Sequence, residues 1–342
     1  MCLLCFWQAF CGCWCCVCWF DFLFLRCQNR LSDMFRFLVA AVVALLLPSC
    51  VYSQECVEYG YGTIVPEDAR AFIETLSHDS LQGRRAGEAG SRKAAEYIVS
   101  LLEGWGIEPL DAGCYLQPFE TGGCPMNNIL AVIPGESDEF IVIGAHYDHL
   151  GCDSTIAGDG CYNGADDNAS GVSAVLQIAR AVKAGGVKPK RNMVFAFWDG
   201  EEKGLLGSSH FVKKCAFLSD VMAYMNFDMI GRGPVDNPKH LTYFYTASCT
   251  AFGEWLKEDI VARGFGFMPD YRAWDKPVNG SDNAPFAKKE IPIVWYHTEG
   301  HPDYHRPSDT ADKIDYGKLI DITRAAFLCA WRLANEERYT IE

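Results

Sequence analysis

Phe195-Ala-Phe-Trp-Asp-Gly-Glu201-Glu202 is a short apolar run that ends abruptly in two adjacent carboxylates. Met193 to Trp198 are bulky and apolar enough to form a buried strand, and a strand that stops at Gly200 delivers Glu201 and Glu202 to its carboxyl end. Open α/β sheets bind their ligands at that edge. Two neighbouring carboxylates repel when both are charged, so the pair is most useful if a cation neutralises one while the other handles protons. Taken alone, Glu-Glu is equally well explained as a solvated helix start.

Other runs end in the same way. Phe140-Ile-Val-Ile-Gly-Ala-His146 is a near-continuous apolar strand that runs into His146-Tyr-Asp148-His149. Val221-Met-Ala-Tyr-Met-Asn-Phe-Asp228 ends on an acid, and Ile291-Pro-Ile-Val-Trp-Tyr296 leads into a loop holding His297, His301 and His305. Asn127 to Ile133 is one further strand. Helical spacing of apolar residues is found over 66–78, 91–104, 172–182, 205–212, 252–263 and 316–335. Strands alternating with helices predict a three-layer α/β/α sandwich with a largely parallel central sheet.

The 342 residues are 49% hydrophobic and 22% charged, enough for one large α/β domain. A formal charge of −14 argues against a nucleic-acid partner, whose phosphates would be repelled. The N-terminal region differs in composition from the rest: eight of the 17 cysteines fall between Cys2 and Cys27, without metal-ligand spacing. From Met34 the chain restarts as a basic then apolar stretch ending in Pro48-Ser49-Cys50, the pattern of a secretory signal.

The expected organisation is therefore an extension mis-assigned as coding over 1–33, a signal over 34–50, an N-terminal segment over 51–66 and one domain over 67–342. Leu47-Pro-Ser-Cys50 is similar to the bacterial lipoprotein cleavage box, with proline as a departure, and cleavage near Ser53 is the alternative. Export is expected either way: periplasmic, anchored to the outer membrane through lipid at Cys50, or extracellular. In an oxidising compartment Cys114 with Cys124, and Cys152 with Cys161, are close enough in sequence to close small loops. Cys215, Cys249 and Cys329 sit among apolar residues and are expected as buried thiols.

The loop after the His146 strand leads to Asn163-Gly-Ala-Asp166-Asp167-Asn168-Ala-Ser170-Gly171. Helix capping accounts for one of these carboxylates but not for two in succession, and Asp166 is expected to be the turn or cap residue. His146, Asp167, Glu201 with Glu202, Asp228 and one histidine of the 297–305 loop would then gather at one sheet edge. Two histidines with three carboxylates suit two zinc ions. Cations roughly 3.5–4 Å apart need a bridging carboxylate and a bridging water between them, and a base beside that water that is not itself a ligand.

His146-x-Asp148, Gly164-Ala-Asp-Asp167-Asn-Ala-Ser-Gly171, Asp199-Gly-Glu201-Glu202-x-Gly-Leu-Leu-Gly207-Ser, Asn226-Phe-Asp228-Met-Ile-Gly231 and Asp303-Tyr-His305-x-x-x-Asp309-Thr310 resemble the exported zinc aminopeptidases of the bacterial leucyl aminopeptidase type. The motifs occur in that family's order, and the resemblance spans roughly residues 67 to 335. It implies that Asp167 bridges two zinc ions, that His146 and Asp228 complete one site, and that Glu202 and His305 complete the other. It further implies Glu201 as general base, Asp148 as the group orienting His146, and Tyr304 as a hydrogen-bond donor to the oxyanion. Substrates would be peptides with a free N-terminus.

His301 is the alternative to His305, while His149 and His297 are expected in supporting roles and Asp282 outside the metal set. Tyr271, Trp274, Phe286 and Trp295 are candidates for an apolar specificity wall, with aromatic core as the competing reading. Two other functions compete. A glutaminyl cyclase shares the fold with a single zinc, but typically departs from the Gly-Ala-Asp-Asp and Glu-Glu-x-Gly-Leu-Leu-Gly-Ser patterns that this chain keeps. A catalytically inactive binding protein of the same fold would lose ligands or the base, and every expected position is present here.

Overall fold

In the computed structural model, residues 54–111, 113–274 and 280–340 are described. The signal, start-site and lipidation expectations fall outside them. Nine strands form one sheet: β1 (Glu108–Pro109), β2 (Leu116–Thr121), β3 (Cys124–Ile133), β4 (Phe140–His146), β7 (Asn192–Trp198), β8 (Val221–Phe227), β9 (His240–Thr246), β10 (Met268–Trp274) and β11 (Ile293–His297). Their order is β1-β3-β7-β4-β8-β11-β9-β10, with β2 also paired to β3. β5 (Gly151–Cys152) and β6 (Cys161–Tyr162) form a separate small hairpin.

The four strands β7-β4-β8-β11 are mutually parallel, so their carboxyl ends lie along one edge. Antiparallel neighbours flank them, β3 beside β7 and β9 beside β11. The sheet is therefore mixed, with its parallel part at the centre. Chain order reverses around β4: the connection to β7 runs one way and the next, to β8, runs back past it. Parallel crossovers are almost always right-handed, so opposite directions demand opposite faces. Helix α3 (Gly171–Gly185) accordingly lies on one face and α4 (Leu206–Lys214) on the other.

Strand alternation feeds two separate cores. Ile141, Ile143, Met193, Phe195, Phe197, Met225 and Phe227 pack on one side with α1 (Pro66–Leu76), α2 (Ala89–Gly104), α3, α5 (Ala251–Arg263) and α7 (Tyr316–Asn335). Val142, Val194, Trp198 and Tyr224 pack on the other with Phe211 of α4 and Phe286 of α6 (Asn283–Ala287). Both faces of the central strands are thus dry, as their unbroken apolar runs require. Phe286 stacks on Tyr224 with ring centroids 3.9 Å apart, so its place is core.

The expected strands and helices form within a few residues of their expected limits, and β1, β2, β5, β6, β9 and β10 are additional. Cys56–Glu342 form one unit, and no helix among the described residues is long and apolar enough to cross a membrane. Cys152 and Cys161 are bonded, tying β5 to β6. Cys114 and Cys124, the other expected pair, are free. The hairpin register explains this: it sets Thr121 opposite Cys124, and Cys114 lies beyond the far end of β2. Cys249 and Cys329 are buried, but Cys215 is only half-buried at the end of α4.

Removing the bond with the pair Cys152→Ala and Cys161→Ala frees a loop whose ends are nine positions apart. The loss of closure entropy is expected to lower stability by about 2–3 kcal/mol, read as an earlier denaturation midpoint at unchanged slope.

Candidate metal centre

The four parallel strand ends and one adjoining loop deliver the candidate residues to a common cleft of about 200 Å³, lined among others by His146, Asp167, Glu201, Glu202, Asp228, Tyr304 and His305. His146 is the last residue of β4, Glu201 and Glu202 follow β7, Asp228 follows β8, and the Tyr304–His305 loop follows β11. Asp167 comes from the turn that opens α3. Gly164 makes that turn: its φ is +57°, and a Cβ there would stand 2.2 Å from Asp167 O and 2.5 Å from the His149 ring. Gly207 serves the opposite wall, where a Cβ would meet Asn128 Oδ1 at 2.2 Å and Asp199 O at 2.5 Å.

Two clusters result. His146 Nε2 lies 3.4 Å from Asp167 Oδ1 and 3.7 Å from Asp228 Oδ1. His305 Nε2 lies 3.1 Å from Asp167 Oδ2 and 3.3 Å from Glu202 Oε2. Asp167 thus presents one oxygen to each imidazole. His149 joins the second cluster, its Nδ1 2.7 Å from Glu202 Oε1 and 3.8 Å from Asp167 Oδ2. Donor atoms of His146, Glu201 and Asp228, and separately of His149, Asp167 and Glu202, fall within 4.8 Å of one another.

Asp148 is buried beneath, and the contact to His146 Nδ1 is made by its backbone carbonyl at 3.2 Å while its carboxylate is 3.8 Å away. That carboxylate instead accepts the Glu201 backbone N–H at 3.0 Å, joining the ends of β4 and β7. Asp199, from the same motif as the glutamates, accepts from Asn127 N–H and the Tyr147 hydroxyl, each at 3.1 Å. Tyr304 is 44% exposed at the cleft mouth and stacks on His305 at 3.9 Å.

Crowding of like charge sets the electrostatics. Burial, reinforced by the charges of Asp282, Asp228 and Asp148 and opposed by His146, pushes Glu201 up to about 10. Burial likewise raises Asp148 well above the carboxylate range and Asp282 to about 7. For Glu202 burial is overcome by hydrogen bonds from His149 and His305, which hold it below the usual range. The same bonds to Asp167 and Glu202 lift His305 to about 10. His146 is raised although burial opposes it, by Glu201 and Asp228.

The donor set fits a divalent metal. Imidazole nitrogens and carboxylate oxygens converge from separate elements, no lysine or arginine lines the cleft among the described residues, and among them buried Asp148 Oδ2 and His149 Nε2 have no hydrogen-bond partner. Isolated buried charge of this kind is costly unless paired with a cation.

His301, the alternative to His305, points elsewhere: its Nε2 is 3.2 Å from Asp166 Oδ2. Asp166 is correspondingly no cap, since its other oxygen accepts the Gly231 N–H at 2.6 Å and the carboxylate cross-links three segments in the interior. His297 lines the cleft with Nδ1 2.6 Å from Asp228 O. Trp295 lines the cleft as well, whereas Tyr271 and Trp274 belong to the edge strand β10.

Sequence reasoning missed the buried braces. Arg84 is 1% exposed and donates only to backbone carbonyls, those of Leu76, Tyr147, Asn163 and Gly164, at 2.6–2.9 Å. It ties the end of β4 to the Asp167 turn. Asn168 donates to Phe227 O and accepts from Met229 N–H, fixing the same turn to both neighbours of Asp228.

A family profile described as peptidase family M28 matches residues 128–330. Leupeptin-inactivating enzyme 1 of Streptomyces exfoliatus is 30% identical over 286 residues, covering 79% of this chain and 58% of that protein. The chain thus spans less than two thirds of that relative's length. LapA of Legionella pneumophila superposes with a TM-score of 0.67 at 25% identity, over 83% of this chain and 77% of LapA. BSAP, a zinc aminopeptidase from Bacillus subtilis, superposes with a TM-score of 0.64 at 16% identity, over 80% of this chain and 96% of BSAP, and shares the fold.

Replacing Arg84 by methionine leaves four buried carbonyls without their donor. The expected cost is about 3–5 kcal/mol, measurable by denaturant titration of the variant beside the parent.

Proposed function

The chain belongs to peptidase family M28, and from that premise we propose that it is an exported, zinc-dependent aminopeptidase that removes residues from the free N-terminus of peptides. The observation that carries the reading is the paired acid–imidazole cluster sharing Asp167 in the lining of one cleft. At about 200 Å³ the cleft is smaller than the ~300–1,000 Å³ that encloses a whole drug-sized ligand, which suits one terminal residue. The names of the Streptomyces and Bacillus proteins, a leupeptin-inactivating enzyme and a zinc aminopeptidase, point the same way.

In this reading His146, Asp228 and Asp167 would hold one zinc ion and Glu202, His305 and Asp167 a second. Bound zinc supplies Lewis acidity toward the scissile carbonyl and makes water easier to deprotonate. Glu201, which gives up its own proton once cations offset the carboxylates around it, would then accept the proton of the attacking water and return it to the leaving amine. Asp148 fixes Glu201 by holding its backbone N–H. His149 holds Glu202 through the 2.7 Å contact. Tyr304, at the cleft mouth, donates a hydrogen bond to the carbonyl oxygen as negative charge develops. The acidic lining attracts the protonated α-amine of the substrate and selects against blocked termini.

Export is supported by the Cys152–Cys161 bond, which belongs in an oxidising compartment. The signal-like stretch at 34–50 agrees with this, and Cys50 is the proposed point of lipid attachment.

The test is turnover of aminoacyl anilides and short peptides by the parent and by Glu201→Gln. The parent releases free amino acid, ignores N-acetylated substrates, and Glu201→Gln loses about 10²–10⁴-fold in kcat while retaining its metal. Cyclisation of N-terminal glutamine without amino-acid release, or full activity in the variant, contradicts the proposal.

A further inference from the structure

His305 has a backbone φ of +53°, a left-handed conformation that a side chain bearing a Cβ adopts only under constraint. It belongs to a loop, not to a strand or helix, and is about a third exposed. Something must therefore hold the loop in place. On its cleft side the segment meets the candidate ligands Asp167 and Glu202 themselves, and just before it Asp303 pairs with Arg232 at 3.0 Å and Lys313 at 2.7 Å.

The anchor that joins this loop to the Asp167 turn lies four residues on. Asp309 is fully buried, and its two carboxylate oxygens accept the Asp166 N–H at 3.0 and 3.1 Å, one of them also accepting the Asp167 N–H at 3.1 Å. Its backbone carbonyl accepts the Ala165 N–H at 3.1 Å. An anion receiving successive backbone N–H groups is a strong, geometrically specific arrangement. Here it fastens the His305 loop to the turn that carries Asp167. The Asp166–His301 contact at 3.2 Å fastens the same two segments a second time.

We propose that Asp309 is a positioning residue, which sets His305 against Asp167 so that both can serve one metal ion. It touches neither the cleft nor a reacting atom, and acts only through the two segments it joins. The inference rests on the two-metal reading given above. Asparagine at 309 keeps the shape but offers a single oxygen acceptor and turns an N–H₂ group toward N–H donors, so the clamp opens while the core stays filled.

The experiment is a double-mutant cycle on Asp309→Asn and His305→Ala, reading the zinc affinity of the weaker site by competition with a chelator, together with kcat and KM for an aminoacyl anilide. Supporting groups behind metal ligands typically contribute about 10–100-fold in affinity. Asp309→Asn is expected to lose at least about tenfold in the weaker zinc affinity and in kcat, with KM changed less than about threefold. In the His305→Ala background the same substitution is expected to cost clearly less than in the parent, because one of the two groups it registers is gone and only its hold on Asp167 remains.

Independent, multiplicative effects would overturn the assignment, as would Asp309→Asn with unchanged zinc affinity. Should Asp309→Asn not fold, Asp309→Ser, which keeps one acceptor, takes its place in the cycle. Failure of both to fold would make Asp309 a support of the fold rather than of His305, and would also overturn it. A parent protein that binds no zinc removes the two-metal reading together with this inference, whereas two zinc ions in the parent with a multiplicative cycle removes the inference alone.

Discussion

Mutual repulsion of buried carboxylates is the constraint around which this molecule is built. Asp148, Asp167, Glu202 and Asp228 lie within a few ångströms of the same imidazoles with Glu201 beside them, and all but the glutamates are almost wholly buried. Such a cluster stands against folding unless cations enter it, so its persistence across four strand ends and a turn marks a site selected for chemistry rather than stability. The crowding drives its two adjacent glutamates apart. Glu201 is driven toward its protonated form, while histidines hold Glu202 ionised. One sequence dipeptide thus supplies two chemically different groups.

Rigid scaffolding makes that divergence usable. The parallel strands β7-β4-β8-β11 aim their ends at one edge, and the reversal of chain order around β4 opens the crevice there. Backbone-directed braces then register the irregular segments against the strands: Arg84 between β4 and the Asp167 turn, Asn168 between that turn and Asp228, and Asp148 between β4 and Glu201. Each brace bonds main-chain groups, so the side chains of the ligand set remain free to face the cleft.

The parts of this arrangement that could be read from sequence are those with local signals. Phe140–His146, Met193–Trp198 and Val221–Phe227 are dry on both faces and so read as unbroken apolar runs, and the helix over 316–335 carries its periodicity along its whole length. β10 escaped because Met268-Pro-Asp-Tyr-Arg-Ala-Trp274 is an edge strand, where proline and charge are tolerated and the apolar pattern fades. The ligand candidates were legible because each follows a recognisable strand or glycine turn. The interior cross-link of Asp166 and the roles of Arg84 and Asn168 went unassigned because decisive partners lie far along the chain, Gly231 at 65 positions, Asn163 at 79 and Phe227 at 59. No local pattern encodes such pairings. The Cys114–Cys124 expectation failed for the same reason in reverse: nearness in sequence was undone by hairpin register.

The most direct measurement is a calorimetric titration of metal-free protein with zinc. If Asp167 joins two cation sites, two equivalents bind per chain, with release of protons as the carboxyl group of Glu201 and the imidazolium of His305 give up theirs. Saturation at a single equivalent, or no binding, would contradict the account.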